Sequence, residues 1–208
     1  IMTSDDNEQA SSTSPTKILY CIRHGMSLSN EWMRKHGNQW GCPTYNDYNG
    51  NVRDAPLSKT GKEQAQKLLE QLKTAEWLKT ADIEIAIVSP LTRCLETYQY
   101  SVEPAIPDDT PKIVSSLLSE RVYCLSETGR AVNELKNVFP ALDWSQVSDN
   151  WWYQGDEDYE EWRPSGYGQV YAVPGEPMEH FQGRMERFKM WLRDRPERTS
   201  TYITFLML

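Results

Sequence analysis

Short apolar runs alternate along this chain with amphipathic helical stretches, and that alternation restricts the fold more than any other feature. Residues 17–22 (KILYCI), 83–88 (IEIAIV), 112–114 and 201–206 (TYITFL) have the length and apolar character of buried strands. Between them lie helical periods. Residues 59–73 carry Ala65, Leu68, Leu69 and Leu72 on one face, with Ser58 placed to cap the start. Residues 91–102 read as a second helix behind Ser89-Pro90. Thr128 is placed to cap a third, which bears Val132, Leu135, Val138 and Phe139 and closes at Pro140. Met178, Phe181, Met185, Phe188 and Leu192 recur at spacings of three and four, marking a core-facing helix that stops before Pro196. Strands alternating with helices predict an α/β fold: a three-layer sandwich with a mostly parallel central sheet and helices on both faces.

The 208 residues suffice for one domain with a full core and leave little room for a second. Residues 1–16 are acidic and rich in Ser and Thr, with no basic start and no apolar stretch, and read as a tail rather than a signal peptide. Residues 17–208 then form the domain. Two stretches lack a period. Residues 31–54 are rich in Gly, Asn and aromatics and predict a long loop. Residues 143–173 hold Trp144, Trp151, Trp152 and Trp162 among six carboxylates between Asp149 and Glu161, predicting either an ordered insertion folded over the sheet or a lid.

A net charge of −8 argues against nucleic acid or an anionic membrane surface as partner. No run approaches the roughly 18 apolar residues of a membrane span. Cys21, Cys42, Cys94 and Cys124 form no C-x-x-C pair, so they read as free, buried thiols in a reducing, cytoplasmic setting. The three histidines lack metal-ligand spacing, so neither a metal nor a cofactor is expected; His36 and His180 read as surface residues.

Chemistry gathers just beyond the strands. After the first comes Arg23-His24-Gly25, after the second Ser89-Pro90-Leu91-Thr92-Arg93, and beyond the third Glu120-Arg121. Ligands of open α/β sheets bind outside the carboxyl ends of the strands. A nucleophile, guanidinium groups and a carboxyl would therefore converge at one rim, which are the parts for phosphoryl transfer through a covalent enzyme intermediate.

These residues carry a resemblance. RHGMSLSN (residues 23–30) resembles the R-H-G-x-S-x-x-N signature of the histidine phosphatase superfamily, the phosphoglycerate-mutase-like proteins of branch 1. DAPLSKTGKEQA (54–65), SPLTRCLET (89–97) and LLSE (117–120) are similar to that family's later blocks, in the same order, and GEPMEHFQGRMERF (175–188) to its closing E-x-x-x-x-F-x-x-R-x-x-x-F pattern. The resemblance implies a phosphomonoester hydrolase acting on a small phosphorylated metabolite or a phosphoprotein. It implies His24 as the nucleophile that becomes phosphohistidine, and Arg23, Arg93 and Asn30 as phosphate ligands. Glu120 would be the acid for the leaving alcohol and then the base for water. Gly25 would let backbone approach the phosphate, and Ser27 could help hold the pocket. Arg121 reads as a surface residue or a partner of the acidic segment.

Two departures qualify the match. SERVYCLSETGR (119–130) lacks the E-R-H-Y-G-x-L-x-G run of true phosphoglycerate mutases, so a mutase ranks last among the readings. The family's second histidine follows its last strand, whereas TYITFL is followed here by Met207 and Leu208. On that reading the sequence is truncated or altered at its C-terminus, and the alternative function is a catalytically weakened phosphate-binding or interaction module. The acidity of residues 143–173 disfavours polyanions such as inositol polyphosphates.

Overall fold

The computed structural model describes residues 16–36, 53–74, 82–155 and 175–204. Four strands form one sheet: β1 (Ile18–Arg23), β2 (Ile85–Val88), β3 (Lys112–Val114) and β4 (Thr199–Thr204). Their order is β1-β4-β2-β3, and every pairing is parallel. The last strand in sequence thus lies centrally, with Arg23 opposite Thr204 on one side and Val88 opposite Ile203 on the other. All four strands point their carboxyl ends the same way, so the segments that follow them share one rim.

Strand β4 begins two residues earlier than its apolar run predicts. Glu84 fixes the start, its carboxylate accepting from the backbone N–H groups of Arg198 and Thr199. The run's last residues, 205–206, and the expected place of a second histidine lie outside the described residues. At the opposite edge, β3 is covered by Asp143, whose backbone exchanges hydrogen bonds with Lys112 and Val114 at 2.7 and 2.9 Å. Pairing at this point blunts an otherwise open sheet edge.

The side-chain alternation of β2 divides the core between the two faces of the sheet. Ala86 and Val88 pack with Leu72, Leu91, Leu95, Tyr98, Val132, Leu135 and Phe139. Ile85 and Ile87 pack instead with Ile113, Leu118, Phe188 and Leu192. Helices α2 (Lys59–Thr74), α3 (Thr92–Thr97) and α4 (Val132–Val138) therefore serve one face and α5 (Met178–Arg193) the other. Helix α1 (Leu28–Lys35) follows β1 directly.

Local chemistry moves several helix boundaries. The expected loop from residue 31 is helical as far as Lys35, because Ser27 caps α1 and Glu31 pairs with Lys35 at 3.3 Å. His36 stacks on Trp32 at the helix end, exposed as expected. Residues 37–52 lie outside the description. Ser58 caps α2 as predicted, accepting from Gly61 N–H at 3.2 Å. Thr128 does not cap α4: its hydroxyl donates to the Leu125 carbonyl, and Ala131 stands at the cap without a side-chain bond. The second helix tightens and loosens in turn, with α3 running into a π turn at Tyr98–Val102. Of the apolar residues expected to anchor α5, Phe188 and Leu192 are buried, while Met178 is exposed. Of the predicted insertion, residues 143–155 are ordered against the domain, with Trp144 and Trp151 buried; 156–174 lie outside the description, as does the tail at 1–15. Cys94 and Cys124 are buried free thiols, but Cys21, in the outermost strand of the described sheet, is exposed.

The loop after β1 is welded to the start of α2. Ser58 N–H donates to the Met26 carbonyl and Leu28 N–H to that of Pro56, each at 2.9 Å. The backbones approach so closely that a Cβ on Gly61 would stand 2.1 Å from the Met26 carbonyl oxygen, and one on Gly25 2.6 Å from that of Gly61. Gly25 is thus required by packing against α2, a cause visible without invoking a phosphate. Gly61→Ala should cost about 1–3 kcal/mol or more in urea unfolding, as overpacking does. Gly183→Ala, in the body of α5 with only Arg187 Nη1 nearby at 3.7 Å, should instead stabilise by roughly 0.5–1 kcal/mol.

Candidate active site

Arg23 ends β1, and His24 is the first residue beyond the sheet. Its neighbours are fixed from both sides. Gly25 N–H donates to Thr97 Oγ1 of α3 at 3.0 Å, and Met26 N–H to Gln64 Oε1 of α2 at 2.9 Å. The His24 ring is buried, with Nδ1 2.7 Å from the Gly25 carbonyl oxygen. A carbonyl can only accept, so Nδ1 carries the proton and the lone pair resides on Nε2. Burial lowers the imidazole pKa to about 3, reinforced by the positive charges of Arg93 and Arg23 and opposed by the Gly25 bond. The ring is therefore a neutral base at ordinary pH.

Ser27 and Asn30 are coupled across the first turn of α1. Ser27 Oγ accepts from Asn30 N–H at 3.1 Å and lies 2.9 Å from Asn30 Oδ1, to which it donates. That bond occupies the amide oxygen and turns Asn30 Nδ2 outward as a donor. Arg23, His24 and Asn30 line one cleft of about 550 Å3, together with Gly25, Met26, Met33, Arg34 and Gln64.

Arg93 sits in the first turn of α3, and that turn is held by Asp54. Asp54 is fully buried and accepts from Thr92 N–H at 2.8 Å and from Thr92 Oγ1 at 2.5 Å. Its φ of 45° lies in the left-handed region that Asp tolerates better than most residues. Arg93 itself is 2% exposed, donating from Nη1 to the Ser126 carbonyl at 2.8 Å and from Nη2 to Glu120 Oε2 at 2.5 Å. Burial outweighs the attraction of Arg93 and pushes the Glu120 carboxyl up to about 7, with nearby Glu127 adding to the rise. Glu127 is itself buried and bound by Cys124 N–H at 2.9 Å and by the Ser126 hydroxyl.

The residues expected to gather at the rim are brought near one another in two groups. Arg23, His24 and Asn30 share the first cleft. Arg93 does not line it but lies close enough for its charge to act on His24, and Glu120 lines a second cleft of about 430 Å3. Arg23 in turn acts electrostatically on Glu120, which ties the two clefts together. Among the described residues, no group of three or more His, Cys, Asp or Glu side chains is arranged to hold a metal ion, and no helix is long and apolar enough to cross a membrane.

Motif reading leaves out the pair that holds Glu120 in place. Glu176 is 1% exposed, and Arg184 of α5 grips its two oxygens at 3.1 and 2.8 Å. Arg184 also donates to the carbonyls of Leu117 and Ser119, at 2.9 and 2.7 Å. The signal was present in the closing pattern, where Glu176 and Arg184 are fixed members eight residues apart. Arg121 proves buried rather than superficial: it donates to the Glu176 carbonyl at 2.6 Å and to Tyr123 Oη at 2.9 Å. His180 is exposed as expected, but Nδ1 meets Glu176 Oε1 at 2.8 Å.

None of the curated protein sequences matches the chain. Among solved structures, it resembles the alpha-ribazole phosphatase of Shigella flexneri at 20% identity and a TM-score of 0.50, over 90% of this chain and 73% of that one. The ecdysone phosphate phosphatase of Bombix mori is 16% identical with a TM-score of 0.47, covering 90% and 72% of the two chains. A mycobacterial glucosyl-3-phosphoglycerate phosphatase is 18% identical with a TM-score of 0.45, covering 91% and 76%. These identities speak to the fold alone. The profile of the histidine phosphatase superfamily (branch 1) matches residues 19–205, nearly the whole chain, and the protein belongs to that superfamily.

Proposed function

We propose that this protein is a phosphomonoester hydrolase that works through a phosphohistidine on His24. The observation that carries the reading is the Nδ1–H bond to the Gly25 carbonyl, which commits the Nε2 lone pair of a buried, neutral imidazole beside Arg23 and Asn30. In the first half-reaction Nε2 attacks phosphorus and the P–O ester bond breaks. Glu120 delivers its proton to the departing alkoxide oxygen. In the second half-reaction the Glu120 carboxylate takes a proton from water, the resulting hydroxide attacks phosphorus, and the P–N bond breaks to release inorganic phosphate. Arg23 and Asn30 bind the equatorial oxygens, and Arg93 adds positive charge close to His24. The free thiols Cys21, Cys94 and Cys124 suit a cytoplasmic setting.

Product analysis separates the competing roles. A phosphatase releases inorganic phosphate, a mutase returns an isomeric ester, and a binding module retains vanadate without turnover. His24→Ala should abolish both phosphate release and the acid-labile phosphoprotein trapped by rapid quench. Persistence of that phosphoprotein in the variant would overturn the assignment.

The pH dependence follows from Glu120 and His24. Glu120 must hold a proton for the first half-reaction, so single-turnover phosphorylation should fall as pH rises through about 7. His24 keeps its lone pair until about pH 3, so no acid limb from it appears above that point. Glu120→Gln should slow alkyl phosphates by about 10²–10⁴-fold but p-nitrophenyl phosphate far less, because p-nitrophenolate leaves without a proton.

Positive charge for the phosphoryl oxygens comes from guanidinium groups on this reading, so phosphate release should survive excess chelator. Loss of turnover with chelator and its return with Mg²⁺ would contradict that.

A further inference from the structure

A monoester whose phosphorus sits at His24 and whose leaving oxygen meets Glu120 must carry its alcohol onward past Glu120, into the second cleft. That cleft lies between the Ser116–Leu118 turn, residues 148–155 and α5. At about 430 Å3 it falls within the range of about 300–1,000 Å3 usual for pockets that enclose a small ligand.

Its charges are largely spent. Glu176 and Arg184 neutralise each other, and the remaining Arg184 donors go to main-chain carbonyls, so this pair forms floor rather than ligand contacts. One group stands apart. Ser119 is 95% buried and lines the cleft, and among the described residues its hydroxyl has no hydrogen-bond partner. A buried hydroxyl left in that state is costly, and a bound ligand atom would relieve it. Asn150, Gln154 and Tyr153 line the same cleft, the Tyr153 ring tilting against His180 at 5.1 Å. Arg187 lies at the exposed rim.

We propose that this second cleft is the leaving-group subsite, and that it selects a compact, hydroxyl-bearing ring of the sugar type, with Ser119 as a specificity-determining residue. The inference rests on the phosphatase reading for the identity of the ligand, but the cleft itself does not depend on His24. Amides and a hydroxyl both donate and accept, as sugar hydroxyls do, while an aromatic ring takes the C–H face of the sugar. A purely apolar leaving group would leave the Ser119 hydroxyl unpaired.

The test uses the full chain with ribose 5-phosphate, glucose 6-phosphate, phenyl phosphate and a phosphoserine peptide. Ser119→Ala should lower the ratio of kcat/KM for sugar phosphate over phenyl phosphate by about three- to tenfold, the effect of one hydrogen bond. Gln154→Ala, at an exposed position that folding does not depend on, should lower the same ratio. Separately, free ribose or glucose should perturb the fluorescence of Trp151 and Trp152, which line the cleft, even in the His24→Ala variant. If no ester is hydrolysed yet free sugars still bind and Ser119→Ala weakens them, the phosphatase reading falls and the subsite stands. If esters are hydrolysed and neither variant shifts the ratio, or the phosphopeptide outcompetes every sugar phosphate, the subsite is overturned and the phosphatase reading stands.

Discussion

A carboxylate as deeply buried as Glu176 can remain in a fold only if its charge is met and its lone pairs are used. Arg184 supplies the charge, His180 Nδ1 lies 2.8 Å from Oε1, and Val122 N–H reaches Oε2 at 3.4 Å. The backbone of Glu176 is committed as well, its N–H donating to Val122 at 2.8 Å and its carbonyl accepting from Arg121 at 2.6 Å. The stretch after β3 has only short 3-10 turns of its own, and α5 holds it through the Arg184 bonds to the Leu117 and Ser119 carbonyls and through Leu118 packed against Phe188 and Leu192. Removing a single partner from such a pair costs about 3–5 kcal/mol, because the survivor is left buried and alone. Glu120 belongs to the stretch so held, and its meeting with Arg93 depends on a helix more than fifty residues further along the chain.

The other half of the site is built by close approach rather than charge. The loop carrying His24 rests on α2 where Gly25 and Gly61 touch, and on α3 through Thr97. Helix α3 is in turn anchored by Asp54, and Leu57 N–H donates to Glu96 of the same helix at 2.6 Å. Residues 54–61 thus serve as a wedge between the His24 loop and the helix that carries Arg93. They make no contribution to the lining of the His24 cleft. Their part is to set the separation of His24 from Arg93.

What the sequence made legible follows the same division. Alternating apolar runs gave all four strands, and the 3.6 period gave α2 and α5, because burial against a sheet imposes those periods directly. Helix α1 escaped notice since its signal was a cap and a surface ion pair within an aromatic-rich stretch, not an apolar face. Arg23, His24, Arg93 and Glu120 stood out as residues at or beyond strand ends, and Asn30 through the motif resemblance alone. Their separation into two clefts was not, because it depends on Glu120 being drawn toward Arg93 and on contacts between residues 176 and 122 that no local pattern encodes. Arg121 misled for a related reason: an arginine in a polar run looks exposed until its distant acceptor is known.

The same burial has opposite consequences for His24 and Glu120, and on the proposed reading that opposition divides their labour. Loss of water disfavours whichever form is charged. For His24 the charged form is the protonated one, so burial strips the proton, and the two arginines push in the same direction. For Glu120 the charged form is the ionised one, so burial retains the proton, against the pull of Arg93. A neutral imidazole and a protonated carboxyl near neutrality therefore coexist beside Arg93 and Arg23. Two titratable groups driven apart in this way are the arrangement that acid–base assignment at an enzyme site requires. Arg93 mediates between them: its charge favours the neutral form of His24 while its hydrogen bond orients Glu120. Replacing it by lysine would keep the charge but lose the planar fork that reaches Ser126 and Glu120 together, so orientation would fail before electrostatics did.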